Sequence, residues 1–288
     1  MAPRELREGV EHDIERLYRD AAPQLWRAIF IERLRESRSP GTMPAAVSIE
    51  TTTLRQDLSG TARPVGAVAV AGALTGAVIG GIGGRLAMFV LRLTSDPALR
   101  GLKTDDDFTI GIFSGATLFL VIVTTVLGIL GGLVYLVVRG WLAGGARPWL
   151  FGGLTGIVGG ATVIRPGGID FTLLEPLGLA VAMFIALPAA YGVAVSLLAE
   201  RFLADDSAFG RSKAWIAGLV LLLPLGFFGV VGLAVLALIL AAVLLSRAAP
   251  EIASVWTSPP VAWIGRIGLV AIAIVWGAQL VRDVVEIL

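Results

Sequence analysis

The sequence contains no cysteine and a single histidine, His12. The chain therefore has no disulfide, thiolate nucleophile or iron–sulfur ligand, and it lacks the histidines of a serine-protease triad or a typical zinc site. Charged residues make up only 16% of the chain, against about 25% in soluble proteins. The net charge of +1 favours neither nucleic acid nor an acidic partner. These absences exclude a soluble domain, a disulfide scaffold and a basic nucleic-acid binder.

What the 288 residues do contain is apolar: 56% are hydrophobic and 36 are glycine, with a mean hydropathy of +0.84. This composition predicts an all-α polytopic membrane protein. A helix needs about 20 apolar residues to cross the hydrocarbon core. Six apolar runs have about this length or more, the shortest with 17 residues, and we expect transmembrane helices at 65–85, 109–138, 149–165, 177–199, 214–246 and 261–281. The last-but-one run contains Pro224 and Gly226, so a tight hairpin is an alternative there, but one kinked helix is the preferred interpretation.

The segment before the first span differs in character. Residues 1–63 carry ten arginines and ten acidic residues, and apolar side chains recur there at helical spacing. We expect a cytoplasmic amphipathic helical segment over 1–42 and a linker over 43–63, followed by a transmembrane domain over 64–288. Residues 13–27 (DIERLYRDAAPQLWR) resemble the opening helix of extracytoplasmic-function sigma factors.

The resemblance covers only this fragment, and no promoter-reading part follows, so it does not imply sigma activity. Three interpretations remain open: a borrowed helix that docks a cytoplasmic protein, an ordinary surface helix, and translation that starts at Met43. The membrane part resembles uncharacterised actinobacterial polytopic membrane proteins, which implies no activity.

Basic residues predict the orientation, because cytoplasmic loops are rich in Arg and Lys. The rule favours a plasma-membrane protein with both termini in the cytoplasm. Tryptophans should lie near the ends of the spans, at the membrane interfaces. They are Trp141, Trp149, Trp215, Trp256 and Trp263.

An internal repeat is the most informative pattern. Gly72–Gly80 aligns with Gly152–Gly160 at an offset of 80 residues, and Arg85 then aligns with Arg165. We therefore expect a duplicated two-helix hairpin, with one copy over 65–139 and the second over 149–201, followed by a helix pair over 214–282. Both copies enter from the same side, which implies a pseudo-twofold axis along the membrane normal.

Each copy carries glycines four residues apart, which share one helix face and allow close packing within the chain or between copies. These glycines are Gly72, Gly76, Gly80, Gly84, Gly152, Gly156 and Gly160. Each copy also has an Arg and an Asp at the outer ends of its helices, where they can cap helices or pair across the hairpins. This candidate outer polar cluster comprises Arg85, Arg92, Asp107, Arg165, Asp170 and Glu175.

The functional expectation follows from what the spans lack. Their central thirds contain no Asp, Glu, Lys or His, which argues against an enzyme and against a coupled transporter. We expect no cofactor, metal or nucleic acid. The leading hypothesis is a non-enzymatic scaffold or sensor that acts through the outer Arg/Asp layer and the N-terminal helix. The alternative is a small-solute or ion permease with a path between the two hairpins, lined by Thr75, Thr117 and Thr155.

Overall fold

The computed structural model describes residues 51–96, 115–168, 171–172, 175–204, 207, 209, 212–229, 234, 236–239, 241, 255–256 and 258–288, without the side chains of 51–61, 115–117 and 227–228. The chain divides into two units, Met1–Leu54 and Arg55–Leu288. All contacts discussed below lie within the second unit. The amphipathic segment predicted over 1–42 lies outside the described residues.

The described residues are helical and contain no β-strand. The α-helices are α1 (Thr51–Thr75), α2 (Gly84–Thr94), α3 (Gly115–Val138), α4 (Arg147–Val163), α5 (Leu177–Leu203), α6 (Ala214–Val220) and α7 (Pro259–Ile287). A π-helix, Gly76–Gly83, joins α1 to α2, and two 3-10 helices cover Gly144–Ala146 and Leu223–Phe228. The second half of the predicted linker is thus helical, because residues 51–58 contain no Gly or Pro to interrupt α1.

Four of these helical stretches are long and apolar enough to cross a membrane: Ala62–Thr94, Leu118–Val138, Leu177–Leu203 and Pro259–Ile287. They overlap the runs predicted at 65–85, 109–138, 177–199 and 261–281. Helix α4 falls on the run predicted at 149–165, but with 17 residues it is only about 25 Å long. It is therefore short for a span, although it packs along α5.

Two buried clusters mark the two ends of the helix bundle. One contains Val68, Tyr135, Val138, Phe151 and Val195 and defines what we call the Arg139 end. The other contains Leu91, Ile164, Phe171, Val181 and Leu280 and defines the Leu91 end. Helix α7 contributes Leu269 to the first and Leu280 and Val284 to the second, so it runs from the Arg139 end to the Leu91 end.

The prediction of one kinked helix over 214–246 is wrong. Helix α6 ends at Val220, a 3-10 helix follows over Leu223–Phe228, and Gly229 has a φ of +62°. Pro224 has no N–H to donate, and only glycine adopts a positive φ readily, so both residues stop an α-helix.

The described residues of the segment 214–256 contact the bundle at several points. Gly218 lies against Gly66 at the start of the first span, and Leu225 is buried deeper, with Ala73 and Ile129. Trp256 lies at the Arg139 end, where its Nε1 donates a hydrogen bond to Val137 O at 3.1 Å. The tight hairpin stays a prediction, because residues 230–233, 235, 240 and 242–254 lie outside the described residues.

Candidate functional site

The predicted outer polar cluster is described in part. Arg92, Arg165 and Glu175 lie at the Leu91 end, whereas Asp107 and Asp170 lie outside the described residues. Ser95 ties this end together: its Oγ donates to Leu91 O at 2.7 Å and accepts a hydrogen bond from the amide N of Glu175 at 2.9 Å. Arg165 and Glu175 are exposed side chains in the segment that follows α4.

The sequence predicts Arg85 at the outer end of its helix, but the structure places it further inside. The helix continues through α2 to Thr94, which places Arg85 about 14 Å before the helix end. The first residue that can break the helix is Pro97. Arg85 is therefore a half-buried arginine inside a candidate span, and an ionisable residue at membrane depth is a functional candidate.

The predicted packing glycines lie at close helix contacts, with one exception. A Cβ built on Gly76 would lie 2.9 Å from Gly128 Cα, and one on Gly80 would lie 2.9 Å from Thr124 Cβ. Gly72 also faces the backbone of Gly128. Gly84 is the exception, since a Cβ there would meet nothing within 4 Å.

The second set of glycines packs on α5. A Cβ on Gly152 would lie 3.0 Å from Ala189 O, and one on Gly156 would lie 2.9 Å from Ala189 Cβ. A Cβ on Gly160 would lie 3.1 Å from Ile185 Cγ1 and close to Leu280. The first glycine row therefore packs on α3, and the second packs on α5.

The hydroxyls between the helices bond to backbone carbonyls. Thr75 is 7% exposed, and its Oγ1 donates to Ala71 O at 2.7 Å. Thr155 Oγ1 lies 2.9 Å from Phe151 O in its own helix and 2.9 Å from Pro188 O in α5. Tyr191 crosses from α5 to α3 and donates to Gly128 O at 2.6 Å. The side chain of Thr117 is not described.

A π-helix occupies the centre of the first span. Gly76–Gly83 contains four glycines in eight residues, and a Cβ on Gly83 would approach Leu187 Cδ2 on α5 to 3.2 Å. π-Helices are rare and often mark functional sites. This one immediately precedes Arg85, so a change from π to α geometry would reposition that arginine.

A charged cluster joins three helices at the Arg139 end. Glu200 on α5 receives hydrogen bonds from Arg139 Nε and Nη2, both at 3.0 Å, and from Tyr135 OH at 2.7 Å. Arg147, the first residue of α4, approaches Glu200 Oε1 with its Nη1 at 3.4 Å. The Arg139–Glu200 pair is bidentate, which is the strongest geometry for this kind of contact. The side chains are about one-third exposed.

The segment between α3 and α4 is held by the start of α7. Arg266 Nε donates to Trp141 O at 2.9 Å, and the Trp141 ring packs on Trp256 and Gly265. The Arg266 guanidinium also lies 5.6 Å above the Trp263 ring. The five tryptophans predicted near span ends all lie at the Arg139 end, which matches the position of an aromatic belt.

No pattern in the sequence predicts the charged cluster as a whole. A signal was available, since Tyr135 and Arg139 are four residues apart and share a helix face. Glu200 directly follows the run predicted as the fourth span, and this position predicts a charge at the membrane surface. Neither signal shows that α4 and α5 bring Arg147 and Glu200 to the same place.

The described residues form an all-helical fold with four helices long and apolar enough to cross a membrane, which is typical of a helical membrane protein. Among the described residues, no group of three or more His, Cys, Asp and Glu side chains could hold a metal ion. Comparison with models of protein families, curated proteins and solved structures gives no match to this chain.

Proposed function

We propose that the chain is a non-enzymatic membrane protein, a scaffold or sensor that acts by binding at its two polar ends. The close packing of the helix seams carries this proposal. A permease would need the glycine faces and threonines along a wet path. Apart from Gly84, the glycines of both rows instead pack against a neighbouring helix, Thr75 bonds to a carbonyl of its own helix, and Thr155 bonds to Pro188 O on α5. Charged side chains lie at both ends of the bundle: Arg92, Arg165 and Glu175 at the Leu91 end, and Arg139, Arg147 and Glu200 at the Arg139 end.

The duplicated hairpin belongs to this proposal. The first glycine row contacts α3 and the aligned row contacts α5, so each proposed copy pairs its two helices through glycine. Thr75 and Thr155 are equivalent in the sequence alignment, and both donate to the carbonyl four residues earlier. This similarity of contacts supports a repeat related by an axis along the membrane normal.

Charge supports an orientation with the Arg139 end in the cytoplasm. Among the described residues, the basic side chains at this end are Arg63, Arg139, Arg147, Arg201, Lys213 and Arg266, and the acidic one is Glu200. The Leu91 end carries Arg92, Arg165 and Arg282 together with Asp96, Glu175, Asp283 and Glu286. The excess of basic residues favours the cytoplasmic side for the Arg139 end.

This orientation changes the location expected for the C-terminus. Because α7 runs towards the Leu91 end, we propose five crossings, with α4 as a short one, and Leu288 outside the cell. Cysteines introduced in turn at Leu288, Gly167 and Gly144 of the cysteine-free chain would test this arrangement. We expect an impermeant thiol reagent to label the first two in intact cells and to label Gly144→Cys only after lysis. Labelling of Leu288→Cys only after lysis would contradict the proposal.

Two features favour a permease as the second candidate. The π-helix interrupts a span, and α6 is followed by a 3-10 helix and by Gly229 with a positive φ. Irregular backbone at membrane depth is tolerated where it is buried in protein or lines an aqueous cavity. A permease would require the seams to open, because Tyr191 now bridges α5 to the carbonyl of Gly128.

Cysteine labelling also separates the two functions. Thr75→Cys and Thr155→Cys change the side-chain volume little, so the packing should be retained. For a scaffold we expect no reaction with the impermeant reagent at either position, even after lysis, while Gly167→Cys reacts fully. Labelling of either threonine position at a rate similar to Gly167→Cys would show a wet path and favour the permease.

Residues 1–42 are proposed to dock a cytoplasmic protein, and the chain is proposed to form homo-oligomers through remaining exposed helix faces. Gly153 on α4 is exposed, and a Cβ there would meet nothing within 4 Å. Deletion of residues 1–42 should abolish the docked partner without changing membrane insertion. An unchanged set of partners would contradict the docking role.

A further inference from the structure

We propose that the Arg139 end binds the phosphate of an anionic phospholipid headgroup through Arg147 and Arg266. This inference rests on the proposed membrane orientation, with the Arg139 end in the cytoplasm, and on the geometry at this end. It goes beyond the scaffold or sensor role and does not depend on it. The ligand class is a lipid phosphate, as in phosphatidylglycerol.

The hydrogen bonds to Glu200 are unevenly shared between its neighbours. Arg139 uses both Nε and Nη2 on this carboxylate, and Tyr135 adds a third bond. Arg147 makes only a 3.4 Å contact through Nη1. The negative charge of Glu200 is therefore compensated mainly by Arg139, and the positive charge of Arg147 is largely available to another anion.

Arg266 lies beside Trp141, which is in the segment between α3 and α4. Its Nε donates to Trp141 O, and its guanidinium lies over the Trp263 ring. Among the described residues no carboxylate pairs with Arg266, so its two terminal nitrogens can serve an anion. Trp141 belongs to the segment between Arg139 and Arg147, which brings the second positive charge to this segment.

The exposed tryptophans indicate how deep the two arginines lie in the bilayer. Indole rings prefer the headgroup level of a bilayer, and Trp149 and Trp263 are 73% and 63% exposed. The two arginines therefore lie at the level of lipid phosphates. Basic sites between helices on the cytoplasmic side are suited to anionic headgroups, because that leaflet attracts positive charge.

The turn before Arg147 is open to an approaching lipid headgroup. Gly144 and Gly145 are exposed, and a Cβ on either would meet nothing within 4 Å. They form the 3-10 turn that precedes Arg147, so a headgroup can approach the turn without displacing a side chain. A lipid fits better than free phosphate, since the neighbouring indoles offer apolar surface for its acyl chains.

The test uses the full chain in phosphatidylcholine vesicles that contain brominated phosphatidylglycerol, which quenches tryptophan fluorescence on contact. Five of the seven tryptophans lie at the Arg139 end and report on this site. We expect preferential quenching by brominated phosphatidylglycerol over brominated phosphatidylcholine. Arg266→Gln should weaken this preference about five-fold, as expected for loss of one basic residue near the membrane surface.

Three variants serve as controls. Arg266→Lys keeps the charge and should keep most of the preference. Arg165→Gln removes an arginine from the Leu91 end and should leave the preference unchanged, whereas Arg147→Gln should reduce it. Equal preference in Arg266→Gln and Arg165→Gln, or none in the unmodified chain, would overturn the proposal. Displacement of the brominated lipid by millimolar inorganic phosphate would show an anion site without lipid specificity and would also overturn it.

Discussion

Replacement of Gly128 by alanine is expected to lower the free energy of unfolding by about 3 kcal/mol, the upper part of the usual range for overpacking a well-packed core. A Cβ on Gly128 would lie 2.7 Å from Gly76 Cα and closer still to the carbonyl of Gly72. Both neighbours are backbone atoms, which cannot rotate away as a side chain can. The helices would have to separate, and the Tyr191 hydrogen bond to Gly128 O would be strained or lost.

Gly84→Ala is the matched control for this substitution. Gly84 also lies in an α-helix, but a Cβ there meets nothing within 4 Å. Alanine should be neutral or stabilise the helix by up to about 1 kcal/mol, because glycine is the poorer helix former. The measurement is equilibrium unfolding of both variants in the same detergent. Equal stabilities for Gly128→Ala and Gly84→Ala would show that the seam between the first span and α3 is looser than described.

The glycine rows illustrate how far the sequence reaches. Spacing of four residues places Gly72, Gly76 and Gly80 on one helix face, and hydropathy places that face inside a membrane span. Gly128 and Gly132 are also four residues apart, but this spacing does not show that they face Gly72, and the pairing emerges only when two helices are brought together. Local periodicity therefore predicts which face packs, and the fold determines what it packs against.

The irregular backbone was harder to predict. Four apolar runs correspond to helices long enough to span a membrane, because the length and composition of a run decide this property. The π-helix at Gly76–Gly83 has no compositional signal beyond its glycines, which also suit an α-helical packing face. In the segment 214–246, Pro224 and Gly226 indicated a kink or a turn, but the choice depends on long-range contacts such as that between Gly218 and Gly66.

The candidate site shows the same limit. The sequence predicts a polar cluster of arginines and acidic residues at the outer helix ends. Two of these residues, Asp107 and Asp170, lie outside the described residues. The best-defined polar cluster is at the opposite end and combines residues from three helices. Residues 61 and 65 positions apart in the chain meet at Glu200, and such pairings have no periodic signal.

Substitution of Glu200 by glutamine has the second large expected effect, a loss of about 2 kcal/mol of stability. Breaking a fully buried ion pair costs about 3–5 kcal/mol, and the one-third exposure of these side chains reduces that figure. Glutamine retains the size and one acceptor oxygen. It removes the charge, however, and leaves Arg139 and Arg147 close together without a carboxylate.

A double-mutant cycle isolates the Arg139–Glu200 contact from the general effect of each substitution. If the pair is coupled, the double variant Arg139→Gln/Glu200→Gln should be less destabilised than the sum of the two single variants. Glu175→Gln is the control, because that carboxylate is an exposed charge at the Leu91 end and its loss should change stability by less than about 0.5 kcal/mol. Additive single effects would mean that solvent screens the pair fully. A coupling of 1 kcal/mol or more would mean that Glu200 joins α3 to α5, and that Arg147 at the start of α4 depends on the same carboxylate.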